Sequence, residues 1–202
     1  MSIFVLEGPD FAGKSTLARA IRASLTAASA ADQQGVVIVH MGVPTPAETA
    51  DLTRHYLSSI ATSRFTHTIF DRLHVGELVY GPLLRGSSAL QAEDITTINH
   101  ELVRLSATLV YVNPGENELV RRFRGRRGDA LVKSEAALLS ISRSYDSLIG
   151  HSSPNPWPVW DGSLPALDFL RIHDRKRQGL LDGTEQNGNG PEEINDNLGK
   201  QC

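Results

Sequence analysis

The chain has 202 residues, a formal net charge of −3 and 40% hydrophobic residues, enough for one domain with a real core, or one domain plus a tail. That charge balance provides no global positive field, so neither nucleic acid nor an anionic membrane is an expected partner, although a local basic patch exists. The single cysteine, Cys202, excludes a disulfide framework or a cysteine metal centre within one chain, and the seven histidines show no metal-ligand spacing.

No basic segment precedes the apolar run Ile3–Leu6, which stops at Glu7, and no stretch approaches the ~20 apolar residues of a membrane span. The expectation is a soluble cytoplasmic protein, in the host cytoplasm if the source is viral. Ile3–Leu6 reads as a buried strand running into a glycine-rich turn, and Leu17, Ala18, Ala20, Ile21 and Leu25 recur at helical spacing, predicting a helix over 13–28. After a small, polar linker over 27–34, Gly35–Val39 is a second strand, and a helix is expected over 47–61. A third strand, 66–70, ends at Asp71-Arg72, and helices follow over 75–84 and 91–105. Thr108–Val112 is a fourth strand, with helices over 116–124 and 134–149. The run Trp157–Asp161 reads as a short strand that Pro158 confines to a sheet edge. Strands alternating with helices predict an α/β three-layer fold with a mainly parallel sheet and helices on both faces. The domain is read as 1–182, and the polar stretch 183–202 as a disordered tail.

Residues 8–15, Gly8-Pro9-Asp10-Phe11-Ala12-Gly13-Lys14-Ser15, satisfy G-x-x-x-x-G-K-[ST] between a strand and a helix. Glycines let backbone N–H groups turn in around phosphate oxygens, and the helix N-terminus adds its dipole. Gly8, Ala12, Gly13, Lys14, Ser15 and Thr16 are therefore read as the ATP-binding loop. Lys14, taken to lie in an exposed loop, reaches the β- and γ-phosphates, and Ser15 ligates Mg²⁺.

Three further features carry chemistry. Asp71-Arg72 ends an apolar strand, where a parallel sheet opens onto its ligand crevice; Asp71 is a second Mg²⁺ ligand, and Arg72 a bidentate phosphate clamp. Arg121, Arg122, Arg124, Arg126 and Arg127 crowd one segment before Gly128, read as an arginine-rich lid over about 121–133. Glu77 and Tyr80, three apart on a helix, share a face beside Asp71-Arg72 and are candidate substrate contacts.

With Leu6-Glu7-Gly8-Pro9-Asp10, Gly13-Lys14-Ser15-Thr16, Phe70-Asp71-Arg72, Glu77-Leu78-Val79-Tyr80-Gly81-Pro82, Arg126-Arg127-Gly128-Asp129 and Tyr145, the chain resembles the thymidylate kinase family, in particular its phage-type deoxynucleoside monophosphate kinase branch. The resemblance spans about residues 3–149. It implies that Asp10 contacts the acceptor sugar and the arginine of the Asp-Arg pair. It also implies that Arg72 grips the acceptor phosphate, that Arg126 and Arg127 embrace the donor phosphates, and that the protein forms a homodimer. Some members carry a catalytic arginine in the phosphate loop; Phe11 stands there in this chain, which leaves that role to the lid. No motif assigns a base pocket, for which Arg54, Tyr56 and Phe65 are candidates. The reading is Mg-ATP-dependent phosphorylation of a deoxynucleoside monophosphate, with catalytic roles for Lys14, Arg72, Arg126 and Arg127. Two alternatives stay open: a kinase acting on a hydroxymethylated base in DNA, and a non-enzymatic nucleotide-binding regulator.

Overall fold

The computed structural model of the chain describes residues 1–28, 35–126, 131–151, 157–166 and 168–173. Arg127, Gly128 and Asp129 of the expected lid, and the expected tail, lie outside the described residues. Five strands form one sheet: β1 (Ile3–Glu7), β2 (Val36–His40), β3 (His67–Asp71), β4 (Thr108–Val112) and β5 (Val159–Trp160). Their order is β2-β3-β1-β4-β5, and every neighbouring pair is parallel. The helices are α1 (Lys14–Ala28), α2 (Pro46–Thr49), α3 (Leu52–Thr62), α4 (His74–Arg85), α5 (Ala92–Arg104), α6 (Glu116–Gly125) and α7 (Glu135–Ile149). Among the described residues no helix is long and apolar enough to cross a membrane.

Strands β1 and β3 are buried along their whole length, and in β1 this shows as the continuous apolar run Ile3–Leu6 rather than as alternation. Ile3, Val5 and Phe70 of the sheet join Leu52, Tyr56 and Ile60 of α3 and Ile98 and Leu102 of α5 in one core cluster. Helix α1 packs along β1, β2 and β3 through a stripe that includes the fully buried Leu17, Ala18 and Ile21. The edge strand β5 is the short segment expected, joined to β4 by the Tyr111 N–H donating to the Pro158 carbonyl at 2.9 Å.

One expected element is divided. In place of a single helix over 47–61 the chain forms α2 and α3. Thr45 and Glu48 make a reciprocal capping box with Pro46 in the first turn of α2, and Asp51 then caps α3 by accepting from the Arg54 N–H. Two N-caps six residues apart start two helices, a signal that was readable in Thr45-Pro46-Ala47-Glu48 and Asp51. Strands β1 and β2 each extend one residue past the expected end, to Glu7 and His40. That extension carries both residues to the C-terminal edge of the sheet, where His40 stands beside Asp71.

The strand order places β1 between β3 and β4, so the chain leaves β1 where consecutive crossovers diverge. In an open parallel sheet the crevice forms at such a point. Register pairs Leu6 and His40 with Asp71, so β1, β2 and β3 end together.

Candidate active site

The turn after β1 is shaped by two glycines in conformations that a side chain strains. Gly8 has φ +149 and Gly13 φ +104, and a Cβ on Gly8 would collide with the Val112 carbonyl oxygen of β4. The loop thus lies against the end of β4 before turning into α1. Lys14 is buried, 6% exposed, rather than in an exposed loop as expected. Its Nζ donates to the carbonyls of Gly8 at 2.9 Å and Pro9 at 2.7 Å. Burial, and after it the nearby charge of Arg72, lower its pKa to about 7.

Below the loop, the Ser15 hydroxyl donates to Asp71 Oδ2 at 2.8 Å. Asp71 Oδ1 is buried and has no hydrogen-bond partner among the described residues. A serine hydroxyl beside a carboxylate with a spare oxygen fits Mg²⁺, a hard ion that takes one or two protein oxygens and completes its shell with water and phosphate. Among the described residues no group of three or more His, Cys, Asp or Glu could hold a metal by itself.

Arg72 follows Asp71 in a left-handed conformation, φ 75, a costly state for a residue with a Cβ. The twist turns its guanidinium back over the phosphate loop, where it pairs with Asp10 and lies 4.5 Å from the centroid of the Tyr80 ring. The Tyr80 hydroxyl accepts from the Asp10 N–H at 3.2 Å, closing a ring of three residues from the phosphate loop, the turn after β3 and α4. Asp10 Oδ2 is buried without a partner among the described residues.

Glu7 supports this geometry from beneath. It is fully buried, accepts from the N–H groups of Leu73 at 2.7 Å and Gly76 at 3.2 Å, and accepts from the Tyr145 hydroxyl at 3.1 Å. Burial raises its pKa, and the two backbone bonds and the charges of Arg72 and Lys14 only partly oppose that. One carboxyl thus ties β1 to the turn that strains Arg72, to the start of α4 and to α7. Its place as the last residue of an apolar strand gave no sign of this role.

Two clefts open on this edge. The first, a cavity of about 210 Å³, is walled by Met41, Val43, Pro44, Leu73 and Leu84, with Tyr56 and Tyr80 among its lining residues. Glu77 lines it, with its carboxylate engaged, pairing with Arg85 and accepting from the Ala89 N–H at 2.8 Å. Of the base-pocket candidates, Tyr56 lines this cleft. Arg54 does not, and Phe65 is 81% exposed on the short 3₁₀ turn before β3. The second cleft is lined by Gly13, Lys14, Ser15, Thr16, Asp71, Arg122 and Trp160. Asp10, His40 and Arg72 line both clefts. His40 was not singled out from the sequence; its Nδ1 lies 3.4 Å from Asp71 Oδ2.

The arginine segment divides by function of place. Arg121 and Arg124 form surface ion pairs with Glu118 and Glu135. Arg122 pairs through Nε with the same Glu118 at 2.7 Å and also reaches the phosphate loop, its Nη1 donating to the Phe11 carbonyl at 3.1 Å and the Ala12 carbonyl at 2.8 Å. Arg126 lies over the rings of Phe11 and Phe123, at 5.5 and 5.2 Å from their centroids. It does not line either cleft.

No family model matches the chain, and no curated protein does. Solved structures do match. The YorR protein from Bacillus subtilis, in complex with phosphorylated GDP, is similar over 94% of this chain and all of its own, with TM-score 0.60 at 21% identity. What the two share is the fold, a parallel α/β sheet with helices packed around it. A deoxyadenosine kinase from M. mycoides with bound dATP covers 88% of this chain and all of its own, at TM-score 0.49 and 15% identity.

Proposed function

We propose that the protein is a Mg-ATP-dependent nucleoside monophosphate kinase that phosphorylates a deoxynucleoside monophosphate, dTMP or a related or modified one, to the diphosphate. The observation that carries this is the meeting of two clefts at Asp10, His40 and Arg72, one bearing the phosphate loop and one a mostly apolar chamber with polar corners. Sites for two nucleotides that share their phosphate ends are what phosphoryl transfer between them requires. The thymidylate kinase-like motifs and the likeness to a structure holding a phosphorylated nucleotide support the same reading.

In this mechanism an oxygen of the acceptor monophosphate attacks the γ-phosphorus of ATP, the bond to the β-phosphate oxygen breaks, and ADP leaves. A phosphate oxygen is already nucleophilic, so the residues chiefly position the groups and offset charge. The loop N–H groups and Lys14 hold the β- and γ-phosphates. Arg72, held by Asp10 and Tyr80, grips the acceptor phosphate, and Tyr56, Tyr80 and the Glu77–Arg85 pair shape the chamber for the base and sugar. Mg²⁺, held by Ser15 and Asp71, would neutralise charge on the transferred phosphates.

A second reading has one observation in its favour. A hydroxyl acceptor, as on a hydroxymethylated base in DNA, needs a base to take its proton, and His40 with Asp71 stands where both clefts meet. Product mass distinguishes the two. Incubation with ATP and a panel of deoxynucleoside monophosphates should give a diphosphate product. Transfer to hydroxymethylated DNA, with none to any free monophosphate, would establish the second reading, and no transfer to either would overturn both.

A further inference from the structure

Phe11 is the residue of the phosphate loop whose conformation is hardest to explain by packing alone. Its φ is 64, in the left-handed region that an aromatic side chain rarely occupies. The strain turns its ring outward from β1 and onto the end of α6, where it meets Phe123 edge to face, with centroids 5.6 Å apart. The Arg126 guanidinium lies over both rings. Arg126 Nη1 is buried without a hydrogen-bond partner among the described residues, so a charged donor is fixed in place with bonding capacity unused. One helical turn earlier, Arg122 donates to the Phe11 and Ala12 carbonyls. The backbone of the loop therefore holds Arg122 of α6, and the Phe11 ring meets Arg126, the extended residue that ends that helix. Phe11 itself lines the cleft that contains Lys14 and Ser15, and Arg126 lies 5.5 Å from the centroid of its ring.

We propose that Phe11 is a positioning residue, whose ring holds Arg126 at the mouth of the phosphate loop so that its guanidinium meets the phosphates of the bound nucleotide. This rests on the donor site assigned above. A cation over a π face is held without consuming its N–H donors, which stay available to an anion. A salt bridge in the same place would occupy those donors, as Glu118 and Glu135 occupy those of Arg121 and Arg124. The strained backbone is retained because relaxing it would carry the ring away from α6.

The test is a double-mutant cycle of Phe11→Leu and Arg126→Ala, with Phe11→Tyr as the conservative variant. It is read as kcat and KM for ATP and as the calorimetric Kd for ATP in the absence of acceptor. Phe11→Leu should lower ATP-side performance by roughly five- to thirty-fold, the scale of one partly desolvated cation–π contact. Phe11→Tyr should restore most of it, and in the Arg126→Ala background Phe11→Leu should cost little more. A merely structural role would lower performance equally in both backgrounds and shift the melting temperature with it. That outcome, or a Phe11→Leu protein with unchanged ATP binding and turnover, overturns the proposal. If the wild type phosphorylates no monophosphate, the kinase assignment fails while the ATP-binding arm of the cycle still decides the role of Phe11.

Discussion

Replacement of Arg72 separates backbone strain from phosphate binding, because the two act on different observables. The side chain is held on one side by Asp10 and on the other by the Tyr80 ring at 4.5 Å, so its fork is oriented before a ligand arrives. Losing charge-assisted hydrogen bonds to a monophosphate costs about 1.5–3 kcal/mol, or roughly ten- to a hundred-fold in kcat/KM for the acceptor. Arg72→Ala, Arg72→Gly and Arg72→Lys should all fall, and lysine should not rescue fully, since it keeps the charge but not the fork. Stability should divide them differently. At φ 75 any residue with a Cβ bears about 1–2 kcal/mol that glycine does not. Arg72→Gly should therefore unfold at higher denaturant than Arg72→Ala, while its acceptor kinetics are equally poor. Steady-state rates at saturating ATP, calorimetric ATP affinity and urea melts read all of this. Unchanged acceptor kcat/KM in the glycine and alanine variants, or a loss confined to ATP affinity, would refute the assignment of Arg72 to the acceptor phosphate.

Lys14→Met keeps the apolar stem of a buried lysine and removes an ammonium whose pKa burial has lowered to about 7; thermal melts at pH 7 should show no loss of stability, and turnover should fall by more than about a hundred-fold. Gly8→Ala places a Cβ against the Val112 carbonyl at φ +149, so it should cost about 2 kcal/mol or more in a urea melt, beyond the range of an ordinary loop substitution. His74, fully buried with Nε2 3.0 Å from Asn99 Oδ1, has its pKa lowered to about 4 by burial. The unfolded chain binds the extra proton first, so this group's contribution to stability is present above pH 6.5 and is lost as pH falls toward 4. The stability difference between wild type and His74→Gln should accordingly shift in favour of the variant by up to about 3 kcal/mol over that window, and a pH-independent difference would contradict it.

The parts of the site legible in the sequence are those whose chemistry is local. The spacing of Gly8, Gly13, Lys14 and Ser15 is set by one turn, and the apolar runs set the strands, so the loop and the succession of strands along the chain could be read directly, while their order in the sheet could not. Asp71-Arg72 was legible because a charged pair ending an apolar strand is conspicuous. The φ of Arg72 was not, because it follows from Glu7 binding the Leu73 and Gly76 N–H groups across 66 and 69 positions of sequence. His40 was missed for a related reason: its place beside Asp71 depends on the register of β2 against β3. The arginine segment advertised charge but not direction. Helical phase turns Arg122 toward the phosphate loop and leaves Arg121 and Arg124 on surface glutamates, while Arg126 reaches Phe11 from the extended residue that ends α6. The division of one expected helix into α2 and α3 was written in the two N-caps and overridden by the apolar periodicity across them.

The most direct test is a two-substrate initial-rate study of ADP release with ATP, Mg²⁺ and dTMP, repeated with the other deoxynucleoside monophosphates. If, as proposed, the two clefts that share Asp10, His40 and Arg72 take donor and acceptor together, acceptor-dependent ADP release with intersecting double-reciprocal lines is the predicted result. Parallel lines, or ADP release that no monophosphate accelerates, would contradict the account.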